Sequence, residues 1–326
     1  MIVSTATACV TVDRNTAASL GTAGMQATQA LSTQAAGAVQ TLGDLGQWWG
    51  VHDTLVCVNS PTEDTKKACI AGVAPPSQDP SVKQLIDVLN KSKQATDTLN
   101  RAYSEFVDLA HYNSGEEATA ALKTSFTDIN SFLSAASALP GAVALAPISA
   151  TVEKATAGVV ALFADNKQNA QILAANKDLQ SANDALYGGL SAESRAMSSI
   201  LVTLQRERQA LYQSGFDAGL IDPTDILTPV FGEAYPGLRL QKPTAANRDV
   251  VKAAAQNVLT LQNKQTDAAI SSSYAAALST LHALSTQHQK LANKQSLDIG
   301  QIQTEVSNLK SDISQMSSSS TSTGKN

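Results

Sequence analysis

The chain has 326 residues, of which 43% are hydrophobic and 16% are charged, and its formal net charge at pH 7 is −5. An acidic chain without a basic run interleaved with aromatic residues lacks the electrostatic footprint of a nucleic-acid-binding protein. Aromatic residues make up only 4% of the chain. A core built largely from small aliphatic side chains must therefore gain its stability from long contacts between helices.

The N-terminal segment, residues 1–14, places Cys9 directly after Ala6, Thr7 and Ala8. This stretch resembles the box that precedes the acylated cysteine of bacterial lipoproteins. The resemblance implies a lipid anchor at Cys9 and, because the next two residues are not acidic, a position on the periplasmic side of the outer membrane or at the cell surface. Two alternatives stay open: cleavage by ordinary signal peptidase, whose small-x-small rule the triplet also fits, and a plain polar tail.

The other two cysteines, Cys57 and Cys69, bracket a polar stretch within residues 49–80. This stretch has no core of its own, and the prolines of APPSQDP prevent a continuous helix at its end. A disulfide that closes it would contribute about 3 kcal/mol in the chain-entropy account. We therefore predict a disulfide-closed loop, which indicates an oxidising compartment. Two reduced thiols in a cytosolic protein are the alternative.

Three heptad-spaced apolar stripes in the first half of the chain predict three α-helices. The first helix is expected to end at Gly50, the second to begin after an N-cap at Ser81, and the third to follow a break at Gly115. Ser92 and Thr96 fill two positions of the second stripe, so the packing there is polar. The apolar positions are Leu20, Ala27, Leu31, Ala38, Leu42 and Leu45, then Val82, Leu85, Leu89, Leu99, Tyr103, Phe106 and Ala110, then Leu122, Phe126, Ile129, Leu133 and Ala136.

Two longer stripes follow, over residues 147–214 and 251–316, and predict helices on the order of 100 Å long at 1.5 Å per residue. Gly188 and Gly189 are expected to kink the first. Two successive steps of four near Gln295 predict a stutter within the second. The apolar positions are Ile148, Val152, Ala155, Val159, Leu162, Leu173, Leu179, Leu186, Leu190, Met197, Leu201, Leu204 and Leu211, then Val251, Ala254, Val258, Leu261, Leu278, Leu281, Leu284, His288, Leu291, Ile299, Ile302, Val306, Leu309, Ile313 and Met316.

These patterns predict an all-α fold: an elongated antiparallel helical bundle with long, coiled-coil-like helices, formed by residues 15–316 as a single unit. Residues 317–326 are rich in serine and predict a disordered tail.

A connector at residues 217–243 joins the two long stripes and contains four prolines, so it is predicted to be irregular, with one short helical turn at Asp222-Pro223. It is longer than an antiparallel connection requires, and long ordered loops are often functional. Its apolar side chains are therefore either a cap on the bundle core or a partner surface. They are Ile226, Leu227, Val230, Phe231 and Tyr235.

The best candidate for a metal site consists of Glu105, Asp108 and His111. Their spacing of three residues places them on one face of a helix. Di-iron bundles use two Glu-x-x-His motifs, whereas here Asp replaces Glu and the motif occurs once. The sequence contains no Gly-x-Ser-x-Gly elbow, phosphate-binding loop or Cys-x-x-Cys pair. We therefore predict no catalytic residues and no cofactor.

Residues 132–164 contain two apolar pieces on either side of Glu153-Lys154. Long helices with an apolar hairpin in mid-chain resemble the α-helical pore-forming toxins of the cytolysin A type. This resemblance implies entry into a membrane, and a buried alanine-rich corner between helices is the alternative reading.

The preferred hypothesis is an exported, lipid-anchored bacterial envelope protein that acts as a non-enzymatic structural or interaction module. It would bind protein partners through helix faces and the connector. A pore-forming component and a metal-binding bundle are the alternatives, and the sequence leaves the partner and the oligomeric state open.

Overall fold

The computed structural model describes residues 13–58, 62–72, 80–112, 115–148, 164–235, 240, 242–244 and 246–321. Over this part of the chain the protein is all-α, as predicted, with eight helices that contact one another and no strand. The helices are α1 (Arg14–Val58), α2 (Glu63–Gly72), α3 (Pro80–Tyr112), α4 (Gly115–Ser137), α5 (Ala164–Asp217), α6 (Pro223–Ala234), α7 (Arg248–Ala292) and α8 (Ile299–Thr321). Cys9 lies outside the described residues.

The helices group into two compact units, whereas the sequence pattern predicts one bundle over residues 15–316. Helices α1, α3, α5, α7 and α8 each contribute residues to both units. Unit 1 comprises Met1–Ala36, Val88–Glu193 and Tyr274–Ser311, and unit 2 comprises Gly37–Asp87, Ser194–Ser273 and Asp312–Asn326.

Helices α5 and α7 are antiparallel in unit 1. The Asn176 side chain donates to the backbone oxygen of His288, and further along α5 the Glu193 carboxylate accepts from Tyr274. The partner number on α7 therefore falls as the residue number on α5 rises. The longest helix, α5, has 54 residues and α7 has 45, which correspond to about 80 Å and about 70 Å at 1.5 Å per residue.

Helix α1 is antiparallel to α3 in the same unit. Asn100 of α3 donates to the backbone oxygen of Met25 at 2.7 Å, and Asp97 accepts from Ser32 at 2.6 Å. The last carbonyls of α3, which have no partner within the helix, are capped by a side chain of α5. The Gln168 amide donates to the backbone oxygen of Leu109 at 2.7 Å.

The heptad stripes mark most of the core correctly. Leu20 to Leu42 of the first stripe and Leu179 to Leu211 of the fourth are buried, and so are Ile302 to Met316 of the last. The phase is wrong at the start of α7, where Leu261 is 59% exposed and Ala255 and Leu259 are buried instead. Alanine faces the core there, and its low hydrophobicity gives no signal strong enough to set the phase of a stripe.

The disulfide between Cys57 and Cys69 is present, with 5.3 Å between the α-carbons. The predicted loop at 49–80 is, however, mostly helical. Helix α1 continues to Val58, beyond the predicted end at Gly50, and α2 follows after a short gap. The disulfide therefore joins the last turn of α1 to α2, and this cross-link holds the two helices together where neither has a long apolar stripe.

The fourth stripe is not helical at its start. Residues 142–148 have no regular secondary structure, and the Asn130 side chain bonds both the backbone nitrogen and the backbone oxygen of Ile148, at 2.8 Å and 3.2 Å. Proline at 140 and 147 interrupts helical hydrogen bonding on both sides of this segment. The predicted core positions Val152, Ala155, Val159 and Leu162 lie outside the described residues.

Neither predicted irregularity of the long helices has the expected form. Helix α5 runs without interruption through Gly188 and Gly189, and a β-carbon at Gly189 would overlap the Phe132 ring. Glycine thus serves there to admit a large side chain rather than to bend the helix. In place of a stutter, α7 ends at Ala292 and Lys294 adopts a left-handed conformation with φ of 56°.

Two segments predicted to be irregular are helical. The connector contains α6, a helix of 12 residues whose N-cap, Asp222, accepts from the backbone nitrogen of Thr224 at 3.0 Å. Proline suits the first helical position because the backbone N–H that it lacks would have no acceptor within the helix. Helix α8 extends to Thr321, beyond the predicted helical end at Met316.

Replacing Gly24 by alanine should lower the free energy of unfolding. A β-carbon at Gly24 would overlap the Tyr103 ring, and overpacking of this kind costs about 1–3 kcal/mol, more than the gain in helix propensity of about 1 kcal/mol. Gly43→Ala is the matched control in α1, because a β-carbon there meets nothing within 4 Å. It should be neutral or stabilising. Urea denaturation measures both, and an equal response of the two variants would contradict the close approach.

Candidate functional site

Polar side chains of α3, α5 and α7 meet in the interior of unit 1 and form a group that we call the histidine layer: Tyr103, Asn176, Asn183 and His288. All four are 0% exposed. The Tyr103 hydroxyl lies 2.8 Å from Nε2 of His288, and Nδ2 of Asn183 donates to that hydroxyl at 2.7 Å. On the other side of the ring, Nδ1 of His288 lies 2.7 Å from Oδ1 of Asn176.

The hydrogen-bond pattern determines the tautomer of His288. Nδ2 of Asn176 donates to the His288 backbone oxygen at 2.8 Å, and a carbonyl can only accept, so the amide orientation is defined. Oδ1 of Asn176 must then accept from Nδ1 of His288, which therefore carries the hydrogen. Nε2 is left as an acceptor for the Tyr103 hydroxyl. Hydrogen bonds are therefore donated in sequence from Asn183 to Tyr103, from Tyr103 to His288 and from His288 to Asn176, and they link α3, α5 and α7.

His288 is held neutral. Burial lowers its pKa from 6.5 to about 3, because removing the imidazolium from water is unfavourable. Burial also raises the pKa of Tyr103, partly offset by the hydrogen bond from Asn183. Both groups therefore keep one protonation state across the physiological range, and their chemistry is that of a fixed hydrogen-bond network.

A second group in unit 1, the glutamate layer, consists of Gln34, Ser92, Glu193 and Tyr274. It takes one side chain from each of α1, α3, α5 and α7, and none is more than 1% exposed. The Tyr274 hydroxyl donates to Oε1 of Glu193 at 2.6 Å. Ser92 lies beside the same carboxyl, and Gln34 lies beside the Tyr274 hydroxyl.

Burial raises the pKa of Glu193 from 4.5 to about 7, and the neighbouring hydroxyl groups of Tyr274 and Ser92 oppose this rise. Burial and the neighbouring carboxyl both raise the pKa of Tyr274 well above its ordinary value. The glutamate layer therefore holds a proton on its carboxyl at mildly acidic pH. The layer follows the histidine layer along α5 by ten residues, from Asn183 to Glu193, or about 15 Å.

The two layers respond to pH in opposite directions. Below pH 6.5 the unfolded chain protonates His288 while the folded chain does not, so acid lowers stability toward pH 3. Above pH 4.5 the unfolded chain ionises Glu193 while the folded chain keeps the proton, so stability falls toward pH 7. Between pH 4.5 and 6.5 the two effects have equal and opposite slopes and cancel.

Only part of these layers is apparent from the sequence. Tyr103 and His288 fall within apolar stripes, and Ser92 is a polar position of a stripe. The heptad spacing does not single out the remaining residues, which are Gln34, Asn176, Asn183, Glu193 and Tyr274. The sequence does contain one signal for them, which is a polar residue at a position that the heptad spacing assigns to the core. Glu193, for example, lies three residues after Leu190 and four before Met197.

The three candidate metal ligands of the sequence analysis all lie on α3. Glu105 and Asp108 are half-buried on α3, and His111 is exposed near its end. Within the described ranges, no three His, Cys, Asp or Glu side chains are grouped so that they could hold a metal ion.

The connector side chains divide into two sets. Leu227 is buried and Ile226 packs beside it against the core of unit 2, with Tyr212, Phe216 and Leu259. Val230, Phe231 and Tyr235 are 41%, 37% and 63% exposed. We call these three residues the α6 surface. The first set packs against the core of unit 2, and the second set faces solvent.

The apolar segment 132–164 is described up to residue 148 and at its last residue. Phe132 and Leu133, at its start, are buried within α4. Among the helices in the described part of the chain, none is both long enough and apolar enough to cross a bilayer.

Comparison of the chain with protein-family models, with characterised proteins and with solved structures found no significant match.

The Glu193→Gln variant should remove a pH dependence of stability. The wild-type free energy of unfolding includes a contribution from Glu193 that is complete below pH 4.5 and is lost by pH 7, a change of about 3 kcal/mol. The glutamine amide cannot ionise, so the variant does not suffer this loss. Its free energy of unfolding should therefore rise by about 3 kcal/mol relative to that of wild type between pH 4.5 and pH 7. Urea denaturation at four pH values between 4 and 8 measures it.

The control for this experiment is Glu117→Gln, at an exposed position of α4. This variant should not reproduce the change of about 3 kcal/mol expected for Glu193→Gln, because the Glu117 side chain is not buried. A constant difference from wild type for Glu193→Gln would show that the Glu193 carboxyl is not held protonated by burial.

Proposed function

We propose that the protein is an exported bacterial envelope protein, anchored by a lipid at Cys9, that acts as a non-enzymatic structural or interaction module. The main support for export is the disulfide between Cys57 and Cys69, whose α-carbons are 5.3 Å apart. Disulfides persist in oxidising compartments such as the periplasm and the cell surface. With these two cysteines paired, Cys9 is the one thiol that is left for acylation.

A structural role is supported by how the interior uses its ionisable groups. A catalytic acid or base must reach a substrate, whereas His288 is fully buried and both of its ring nitrogens contact protein groups. The Glu193 carboxyl is equally buried. Buried polar networks of this kind favour one packing of the helices over others.

A role in interaction is supported by the α6 surface. Asp222 caps the helix and Leu227 secures it to the core of unit 2, so the exposed side chains stand on a rigid element. Aromatic side chains on a rigid support lose little conformational entropy when they bind and are common anchors of protein interfaces.

Lipid anchoring is tested by expressing the complete natural gene in a bacterial host and measuring the intact mass of the mature protein. We expect a chain that begins at Cys9 and carries a thioether-linked lipid, recovered with the membrane fraction. The Cys9→Ser variant should lose the lipid and leave that fraction. An unmodified Met1 on protein outside the membrane fraction would refute the anchor.

Partner binding is tested with a photo-crosslinking residue at Phe231 in intact cells, followed by identification of the linked protein and binding measurements with that protein purified. Combined replacement of Val230, Phe231 and Tyr235 by serine should weaken binding at least tenfold. The matched control replaces Val250 and Leu261, exposed apolar residues of α7, and should bind normally. Equal binding by both variants would exclude the α6 surface as the contact.

A further inference from the structure

The glutamate layer contains buried polar atoms whose hydrogen-bonding capacity the surrounding protein does not use. Within the described residues, Nε2 and Oε1 of Gln34, Oγ of Ser92 and Oε2 of Glu193 have no hydrogen-bond partner. Their side chains are 0% exposed. Buried polar atoms in native proteins are nearly always bonded, either to protein or to an ordered water.

We propose that the glutamate layer is a binding site for an ordered internal water molecule, held by Gln34 of α1, Ser92 of α3 and Glu193 of α5. Internal waters typically make about three hydrogen bonds to buried polar groups that otherwise lack a partner. Three helices contribute such groups here, beside the one direct bond from Tyr274 to Glu193.

The chemistry of the four atoms favours water over a metal cation. Gln34 Nε2 carries hydrogens and requires an acceptor, which a water oxygen supplies and a cation does not. Either polar atom of the Gln34 amide can bond the water, because a water both donates and accepts. Glu193 Oε2 donates to the water when the carboxyl is protonated and accepts from it when the carboxyl is ionised, and Ser92 Oγ can do either. Hard cations also demand about six oxygen ligands, more than these side chains offer.

The proposal also explains why Gln34 is in the core. A glutamine amide without partners in an apolar interior costs about 1–3 kcal/mol. A shared water would remove this cost and connect α1 to α3 and α5 at a level where α1 has no direct polar contact with the carboxyl. The three helices would then be bonded to one another through a single molecule.

The test counts long-lived internal waters by ¹⁷O relaxation dispersion of the solvent signal. Gln34→Met keeps the length of the side chain and removes both amide atoms, so the dispersion amplitude should fall by the contribution of one water. Thr96→Val is the matched control: Thr96 is 0% exposed on α3, and its hydroxyl donates to the backbone oxygen of Lys93 at 2.8 Å. The control should keep the wild-type amplitude.

A second variant covers the case in which Gln34→Met does not fold. Ser92→Ala removes one water partner with little change in volume, and the residence time of the same water should shorten. An unchanged dispersion in both variants would overturn the proposal, and so would an equal loss of amplitude in Thr96→Val. Stability that depends on the identity of the added alkali cation in wild type, and not in Gln34→Met, would assign the site to a cation instead.

Discussion

The hydrogen-bonding requirement of His288 is the constraint on which the packing of unit 1 depends. A buried neutral imidazole needs one acceptor and one donor, and α5 and α3 supply them through Asn176 and Tyr103. Sliding α7 by one residue would break both bonds at once. Each buried group left without a partner costs about 1–3 kcal/mol, a large share of a net stability of about 5–15 kcal/mol. The apolar stripes alone would tolerate such shifts far better.

The glutamate layer repeats this device ten residues further along α5. Two polar layers on the same antiparallel helices define both the rotation and the translation of each helix, which a single layer would not. They also bring one acid and one base into a core where neither is charged at mildly acidic pH, and the two groups change stability with pH in opposite directions. At mildly acidic pH the effects of these two groups on stability therefore offset each other.

Close approach of the helices is the second requirement, and small residues provide it. Tyr103 reaches the histidine layer because its ring lies against Gly24, and Phe132 of α4 lies against Gly189. Large side chains inserted at glycines let helices poor in aromatic residues still bury sizeable area. Glycine in these helices thus has a packing role that outweighs its low helix propensity.

The sequence by itself determined what depends on local spacing: the all-α class, most core positions, and the pairing of two cysteines twelve residues apart. Helix ends were less accessible, because the continuation of α1 to Val58, the break after Ala292 and the length of α6 depend on contacts and caps. The partners of His288 lie 112 and 185 residues away in sequence. Only the tertiary structure could bring them together, since a periodic pattern describes which face of a helix is buried and not which residue of another helix it meets.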